Sequence, residues 1–287
     1  MDNNNLVIAI ASGKGGTGKT TVATNLAVTL ARRGVGVTYL DCDVEEPDGH
    51  IFLKPEISSR QDVTVPIPKI DLNKCTFCGD CSRLCRYNAL AVLSDKVVVF
   101  PELCHSCRGC VHICPEDAIT EVQRPIGQIV HGTGYDVEFL EGRLNIGEAQ
   151  APPITRQLKK SLNGQGIKII DAPPGTSCPV VEAVGGSDFT ILVTEPTPFG
   201  LNDLILAAEM LRKMALPFGV VVNRAGIGDN RVDEYCRKES IDILLTIPDR
   251  REIAEAYSRG QLACEVSPEL EEGLNRLYDT VKGRVIS

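Results

Sequence analysis

The sequence predicts an α/β fold: a doubly wound, mainly parallel sheet with helices on both faces, interrupted by a small cysteine-rich insertion. Three observations carry this reading. Short apolar runs of strand length alternate with helical patterns along most of the chain, as in open parallel sheets. A glycine-rich loop, Gly13-Lys14-Gly15-Gly16-Thr17-Gly18-Lys19-Thr20, joins the first strand to the first helix. Eight of the twelve cysteines fall between Cys75 and Cys114, where the alternation stops.

Composition narrows the class. The chain has 287 residues, 43% hydrophobic and 24% charged, ordinary values for a globular protein with room for a core. Thirty basic against 38 acidic side chains leave a net charge of −8, which argues against a broad nucleic-acid surface. Met1 to Asn5 is short and polar and reads as no signal peptide, and no apolar run approaches the roughly 18 residues of a membrane span. A cytoplasmic protein with neither nucleic-acid nor membrane partners is expected. Clustered thiols in that reducing compartment point to metal rather than to disulfides.

The first strand, Leu6 to Ala11, leads into a loop that fits G-x-x-x-x-G-K-[ST] at every fixed position. Gly13, Gly15, Gly16 and Gly18 let backbone N–H groups close around phosphate oxygens. Thr17 completes the loop, and the helix opening at Thr20-Thr21 adds its positive dipole end. Lys19 is expected to reach the β- and γ-phosphates and the Thr20 hydroxyl to bind Mg²⁺. The expected ligands are therefore ATP and Mg²⁺. Gly36 to Leu40 reads as a second buried strand, ending in Asp41-Cys42-Asp43, with Val44 to His50 as a loop. Ligands bind at this carboxyl edge of open α/β sheets. Asp43 is thus a candidate to position Mg²⁺ or the attacking water; Asp48 is a second carboxylate in the same loop, equally suited to a turn.

From Gln61 the pattern changes. Val63, Val65 and Ile67 alternate, and Pro66 and Pro68 mark an edge strand or linker. Cys75, Cys78, Cys81 and Cys85 follow, then Cys104, Cys107, Cys110 and Cys114 at identical spacing. Each set fits the C-x₂-C-x₂-C-x₃-C run that holds [4Fe–4S] clusters. The halves form an internal repeat, since Asn88-Ala89-Leu90 and Asp117-Ala118-Ile119 follow at the same offset. Val97 to Phe100 and Ile119 to Val122 read as short strands. The fourth cysteine of each run serves the other cluster. One cluster would take Cys75, Cys78, Cys81 and Cys114; the other would take Cys104, Cys107, Cys110 and Cys85. Structural zinc and disulfides are the alternatives, which the doubled spacing disfavours. Arg86 stands where the second run has Pro115, and Arg86 and Arg108 place positive charge near the clusters.

Val137 to Leu140 and Arg143 to Gly147 flank Glu141-Gly142, which reads as a hairpin. Pro152-Pro153 precedes a predicted helix, Ile154 to Leu162, closed by Gly164-Gln165-Gly166. Ile167 to Asp171 is a buried strand ending in a carboxylate, the Walker B pattern, which holds the Mg²⁺ shell. Strands are predicted at Phe189 to Thr194, Phe218 to Val222 and Ile241 to Ile247, with a helix at Leu201 to Met214. Asn223 and Asp249 follow two of these strands. The last helix, about Pro268 to Lys282, carries Leu270, Leu274, Leu277 and Val281 on one face, and its acidic polar side disfavours anionic lipid. Cys42, Cys236 and Cys264 are isolated and read as core thiols.

The second lysine of the loop, Lys14, is not required for phosphate binding. Lys14-Gly15-Gly16-Thr17-Gly18-Lys19-Thr20 resembles the deviant Walker A loop of the MinD/Mrp/ParA family, which includes nitrogenase iron protein. The resemblance implies that Lys14 reaches across a nucleotide-sandwich homodimer to the partner's phosphates. Asp41-x-Asp43 resembles the family's switch I. Asp171-x-Pro173-Pro174-Gly175-Thr176 resembles the switch II of Mrp-type ATPases, implying that the Gly175 N–H senses the γ-phosphate. By the same resemblance Asn223 recognises the adenine edge and Asp249 contacts the base. The doubled cysteine runs look like a two-cluster bacterial ferredoxin inserted at residues 61–125, between ATPase segments 1–60 and 126–287. Slow ATP hydrolysis through Lys14, Lys19 and Asp43 is implied. So is a nucleotide-dependent dimer switch coupled to electron transfer through two [4Fe–4S] clusters to a protein partner. An iron–sulfur cluster carrier with an acceptor protein and a non-redox spatial switch are the alternatives. Nitrogenase iron protein bridges its subunits with a cluster near switch II using two cysteines per chain; only Cys178 is suitably placed here.

Overall fold

The first strand, β1 (Leu6–Ala11), forms because its residues are apolar on both faces and fit a doubly covered sheet. It is followed by α1 (Lys19–Arg32), β2 (Val37–Asp41) and a one-turn helix, α2 (Gly49–Leu53). The computed structural model describes residues 5–160 and 165–286. The sequence expectations for Met1 to Asn4, for Leu162 and for Gly164 lie outside the described residues.

After α2 the chain runs out along β3 (Glu56–Ile70) and returns along β6 (Ile119–Gly134), the two pairing antiparallel from Glu56–Thr133 to Ile70–Ile119. Between them lie α3 (Asp80–Leu84), the β4 (Leu90–Val92)–β5 (Val97–Val99) hairpin and α4 (Gly109–Ile113). Pro66 and Pro68 are tolerated because β3 is the last strand of the sheet and leaves one edge unpaired. The expected module boundaries at 61 and 125 fall inside β3 and β6, so the cysteine-bearing segment continues the main sheet through a strand pair.

The chain then completes the sheet with β7 (Val137–Leu144), α5 (Pro152–Lys160), β8 (Ile167–Asp171), α6 (Cys178–Val184), β9 (Phe189–Thr194), α7 (Pro198–Lys213) and β10 (Phe218–Ala225). It ends with α8 (Arg231–Lys238), β11 (Ile243–Pro248), α9 (Arg251–Ser258) and α10 (Pro268–Ile286). The described strands form a nine-stranded sheet in the order β11-β10-β9-β1-β8-β2-β7-β6-β3. From β11 to β7 every pairing is parallel; β6 and β3 add the antiparallel edge.

Alternation along each strand builds a core on both sides. Leu6, Ile8 and Ile10 face Val22 and Leu26 of α1 and Leu274 and Leu277 of α10. Ala9 and Ala11 face the other way, toward Val180 of α6 and Leu204 and Leu211 of α7. The small alanines leave room for those helices. The apolar stripe of α10, from Leu270 to Val281, is buried in the first of these cores. Cys42, Cys236 and Cys264 are buried too. Among the described residues, no helix is long and apolar enough to cross a membrane.

One local expectation is overturned. Glu141-Gly142 is not a turn but the middle of β7, and the hairpin is β6–β7, turning at Tyr135 and Asp136. Both turn residues adopt left-handed backbone, with φ of 53° and 58°, as a tight hairpin needs. Gly142 is required by space instead: a Cβ there would lie 2.6 Å from Val44 Cγ1.

Candidate nucleotide and cluster sites

The phosphate loop, Gly13 to Thr20, lies between β1 and α1 at the carboxyl edge of the sheet. Gly18 sits at the N-cap of α1 with φ 90°, and a Cβ on it would strike Asn223 Nδ2 at 2.2 Å. Only glycine satisfies both constraints. Lys19 and Thr20 begin the helix and are buried, as is Thr17, whose Oγ1 has no hydrogen-bond partner among the described residues. A buried unsatisfied hydroxyl at this place suits a loop built to meet a polar ligand. Lys14 is half-buried and makes no ion pair among the described residues.

Carboxylates converge on Lys19. Its Nζ lies 2.7 Å from Asp171 Oδ1 and 3.8 Å from Asp43 Oδ2. Burial works against the lysine charge, but Asp171, Asp43 and Asp41 outweigh it and push its pKa up to about 12. Burial pushes the Asp43 carboxyl up to about 6; Lys19 pulls the other way, while Asp171 and Asp48 add to the rise. Burial and Asp171 also raise Asp48, opposed by a hydrogen bond from Thr20. Concentrated carboxylate oxygens beside a threonine hydroxyl are the donor set that Mg²⁺ prefers.

The sequence did not single out what holds these groups. Asp41, Asp171 and Glu141 occupy paired register positions on β2, β8 and β7. Asp41 is fully buried, accepts from the Gly49 N–H at 2.9 Å, and is raised well above the carboxylate range by burial and Asp171. The Tyr39 hydroxyl donates to Asp171 Oδ2 at 2.9 Å. Glu141, buried at 0% exposure, is bonded to His50 Nδ1 at 2.9 Å and to Arg143 Nε. The loop after β2 is therefore tied to β2 itself through Gly49 and to β7 through His50. An apolar strand ending in an acid was the available signal for Asp41; Glu141 had none.

Gly175 lies in the loop after β8, and its N–H donates to Ser12 O at 2.9 Å. Reaching a phosphate requires that bond to break. Asn223, in β10, donates from Nδ2 to Thr17 O at 2.8 Å. Asn223 and Asp249 share a cavity of about 340 Å³ with Gly16, Gly18, Thr21 and Tyr257, opening beside the phosphate loop. Its place and size suit a nucleobase and ribose. A larger cavity, about 630 Å³, lies by Phe189 and Phe218 at the opposite, amino edge of the sheet, remote from these groups.

Among the described residues no three His, Cys, Asp or Glu side chains converge tightly enough for a single metal ion. The eight cysteines instead surround two cavities, one lined by Cys75, Cys78, Cys81 and Cys114, the other by Cys85, Cys104, Cys107 and Cys110. The Ala89 N–H donates to Cys85 Sγ at 3.3 Å and the Ala118 N–H to Cys114 Sγ at 3.4 Å. Amides aimed at sulfur favour thiolate ligands, so the donor set fits an iron–sulfur cluster. Cys178 is exposed at the start of α6.

Residues 8–263 match the family described as the CobQ/CobB/MinD/ParA nucleotide binding domain. An uncharacterized protein of Methanocaldococcus jannaschii is 30% identical over 89% of this chain and 90% of its own. The iron–sulfur cluster carrier protein of Pyrococcus abyssi is 24% identical, over 88% of this chain and 77% of its own. Among solved structures, the cell division ATPase MinD of Pyrococcus furiosus superposes with a TM-score of 0.60 at 21% identity, covering 97% of this chain and 98% of that one. MinD of Pyrococcus horikoshii, solved with Mg-ADP, gives 0.59 at 22%, covering 96% of each. With its phosphate loop at the carboxyl edge of a mainly parallel sheet, this chain belongs to the CobQ/CobB/MinD/ParA nucleotide-binding family.

Proposed function

We propose that the protein is an ATPase whose nucleotide-dependent dimer switch gates electron transfer through two [4Fe–4S] clusters to a protein partner. The observation that carries this reading is the continuity between the two sites. The Asp43 loop runs into α2, whose His50 is bonded to Glu141 of β7, and β7 pairs with β6, which leads directly to the cysteine-lined cavities.

ATP entering the loop would exchange the Lys19–Asp171 ion pair for a Lys19–phosphate contact. Asp171 and Asp43 would then hold the Mg²⁺ shell with Thr20. Asp43, 3.8 Å from Lys19 at the carboxyl edge of the sheet, would orient the attacking water and accept its proton. Lys14, without an ion pair of its own, would neutralise the γ-phosphate of the partner subunit's nucleotide. Gly175 would leave Ser12 to donate its N–H to that phosphate, so switch II changes conformation with nucleotide state. The cavity floored by Asn223 and Asp249 would seat the base. When bound, the clusters supply one-electron storage; the eight cysteines hold them and the Ala89 and Ala118 amides stabilise their sulfur charge.

A second reading, an iron–sulfur cluster carrier, is favoured by the name borne by relatives such as the Pyrococcus abyssi protein. One experiment separates the two. Anaerobic protein, reduced and given Mg-ATP, is mixed with a one-electron acceptor protein or with an iron-free acceptor, comparing wild type with Lys19→Ala. Nucleotide-dependent oxidation with retained iron supports the redox switch. Oxidation equally fast in Lys19→Ala overturns it, and iron moving to the acceptor establishes the carrier.

A further inference from the structure

The two cysteine-lined cavities share one frame, so their differences are informative. Left-handed backbone recurs at equivalent repeat positions: Phe77 with Ser106, Gly79 with Arg108, and Asn88 with Asp117. The amide-to-sulfur bonds recur as well, from Ala89 to Cys85 and from Ala118 to Cys114. Charge does not recur. The cavity of Cys75, Cys78, Cys81 and Cys114 is also lined by Asp80 and Glu116, whereas that of Cys85, Cys104, Cys107 and Cys110 is lined by Arg86 and Arg108. Each charged residue stands where the other half is neutral. Arg86 corresponds to Pro115, Arg108 to Gly79, Asp80 to Gly109 and Glu116 to Tyr87.

Neighbours compensate part of this pattern. Arg83 pairs with Asp80, and Glu121 pairs with Arg108 at 3.0 Å. Arg86 and Glu116 have no ion-pair partner among the described residues. One uncompensated charge of each sign therefore remains, positive at one cavity and negative at the other. Asp80 Oδ2 also lies 3.6 Å from Cys78 Sγ, leaving carboxylate against a ligand sulfur of the acidic cavity.

Given the reading that each cavity holds a [4Fe–4S] cluster, we propose that Arg86 and Glu116 order the two in potential, making the Arg86 cavity the electron-accepting end. A cluster gains one negative charge on reduction. Nearby positive charge stabilises that added electron and raises the potential; nearby carboxylate lowers it. A one-electron donor protein would reduce the Glu116-side cluster. Passing the electron on re-oxidises that cluster by one electron and reduces the Arg86-side cluster by one, with no bond made or broken and no proton moved. Both side chains are solvent-exposed, so their influence is screened by salt over about 10 Å at 0.1 M ionic strength.

The test is EPR-monitored potentiometry of the intact protein with dithionite as reductant, for wild type, Arg86→Gln, Arg86→Lys and Glu116→Gln. Iron and acid-labile sulfide are counted first. Fewer than two clusters in freshly isolated wild type overturns the cluster reading itself. With both present, two couples at different potentials are expected. Arg86→Gln should lower the higher couple alone, Glu116→Gln should raise the lower couple alone, and Arg86→Lys should keep wild-type values. Both shifts should shrink in high salt. Coincident potentials in wild type, a shift of the lower couple by Arg86→Gln, or no shift in either Gln variant overturns the ordering while leaving the clusters in place.

Discussion

Asp43→Asn should make the nucleotide- and Mg²⁺-free protein more stable while removing hydrolysis. The Asp43 carboxyl is raised from 3.8 to about 6, mainly by burial, with its side chain only 18% exposed. Each tenfold change in proton affinity corresponds to about 1.4 kcal/mol. The folded state holds this proton more tightly than the unfolded chain does. Its contribution to stability is therefore full below pH 3.8 and is lost as pH rises through 6, a loss of about 3 kcal/mol at neutral pH. Asparagine does not ionise, so the variant escapes that loss. Urea denaturation followed by far-UV circular dichroism should give a gain of about 3 kcal/mol at pH 7.5, roughly half of that at pH 5, and little near pH 4. Phosphate release should fall to background. A variant no more stable than wild type at pH 7.5, or a gain that ignores pH, refutes the assignment of Asp43 as a half-buried carboxylate kept for chemistry at a cost in stability.

Lys14→Ala should leave ADP binding to the monomer intact by calorimetry but abolish ATP-dependent dimerisation in sedimentation and slow hydrolysis at least tenfold. Glu141→Ala removes the acceptor for His50 and Arg143. Both side chains reach water, so the loss should be about 1.5–3 kcal/mol in denaturation, and the rate of ATP-dependent partner reduction should fall more than ATP hydrolysis does. Gly142→Ala would place a methyl 2.6 Å from Val44 Cγ1 and 2.9 Å from Ile154 Cγ2, overpacking that should cost about 1–3 kcal/mol and lower the melting temperature.

The features legible before folding all lie within short stretches of chain. Gly13 to Thr20 specify a phosphate loop because backbone N–H groups, helix end, lysine and hydroxyl all come from consecutive residues. The cysteine runs are likewise local, and the expected ligand sets can be read from their spacing alone. The alternation of apolar runs specified a mainly parallel sheet, since buried strands and their crossover helices are each read locally. Which distant residues face one another depends on how the strands assemble. Lys19 meets Asp171 and Asp43, Asn223 meets Thr17, and Asp41, Glu141 and Asp171 fall into one row, because strand register sets these meetings and local spacing carries no trace of it. Glu141-Gly142 shows the limit most clearly. Its dipeptide has turn chemistry, but Tyr135 and Asp136 took the turn, and pairing of β7 with β2 and β6 held Glu141 as a buried strand residue beneath His50. Sheet pairing spread over a whole strand outweighs the preference of two residues for a turn, and it carried that carboxylate into the site.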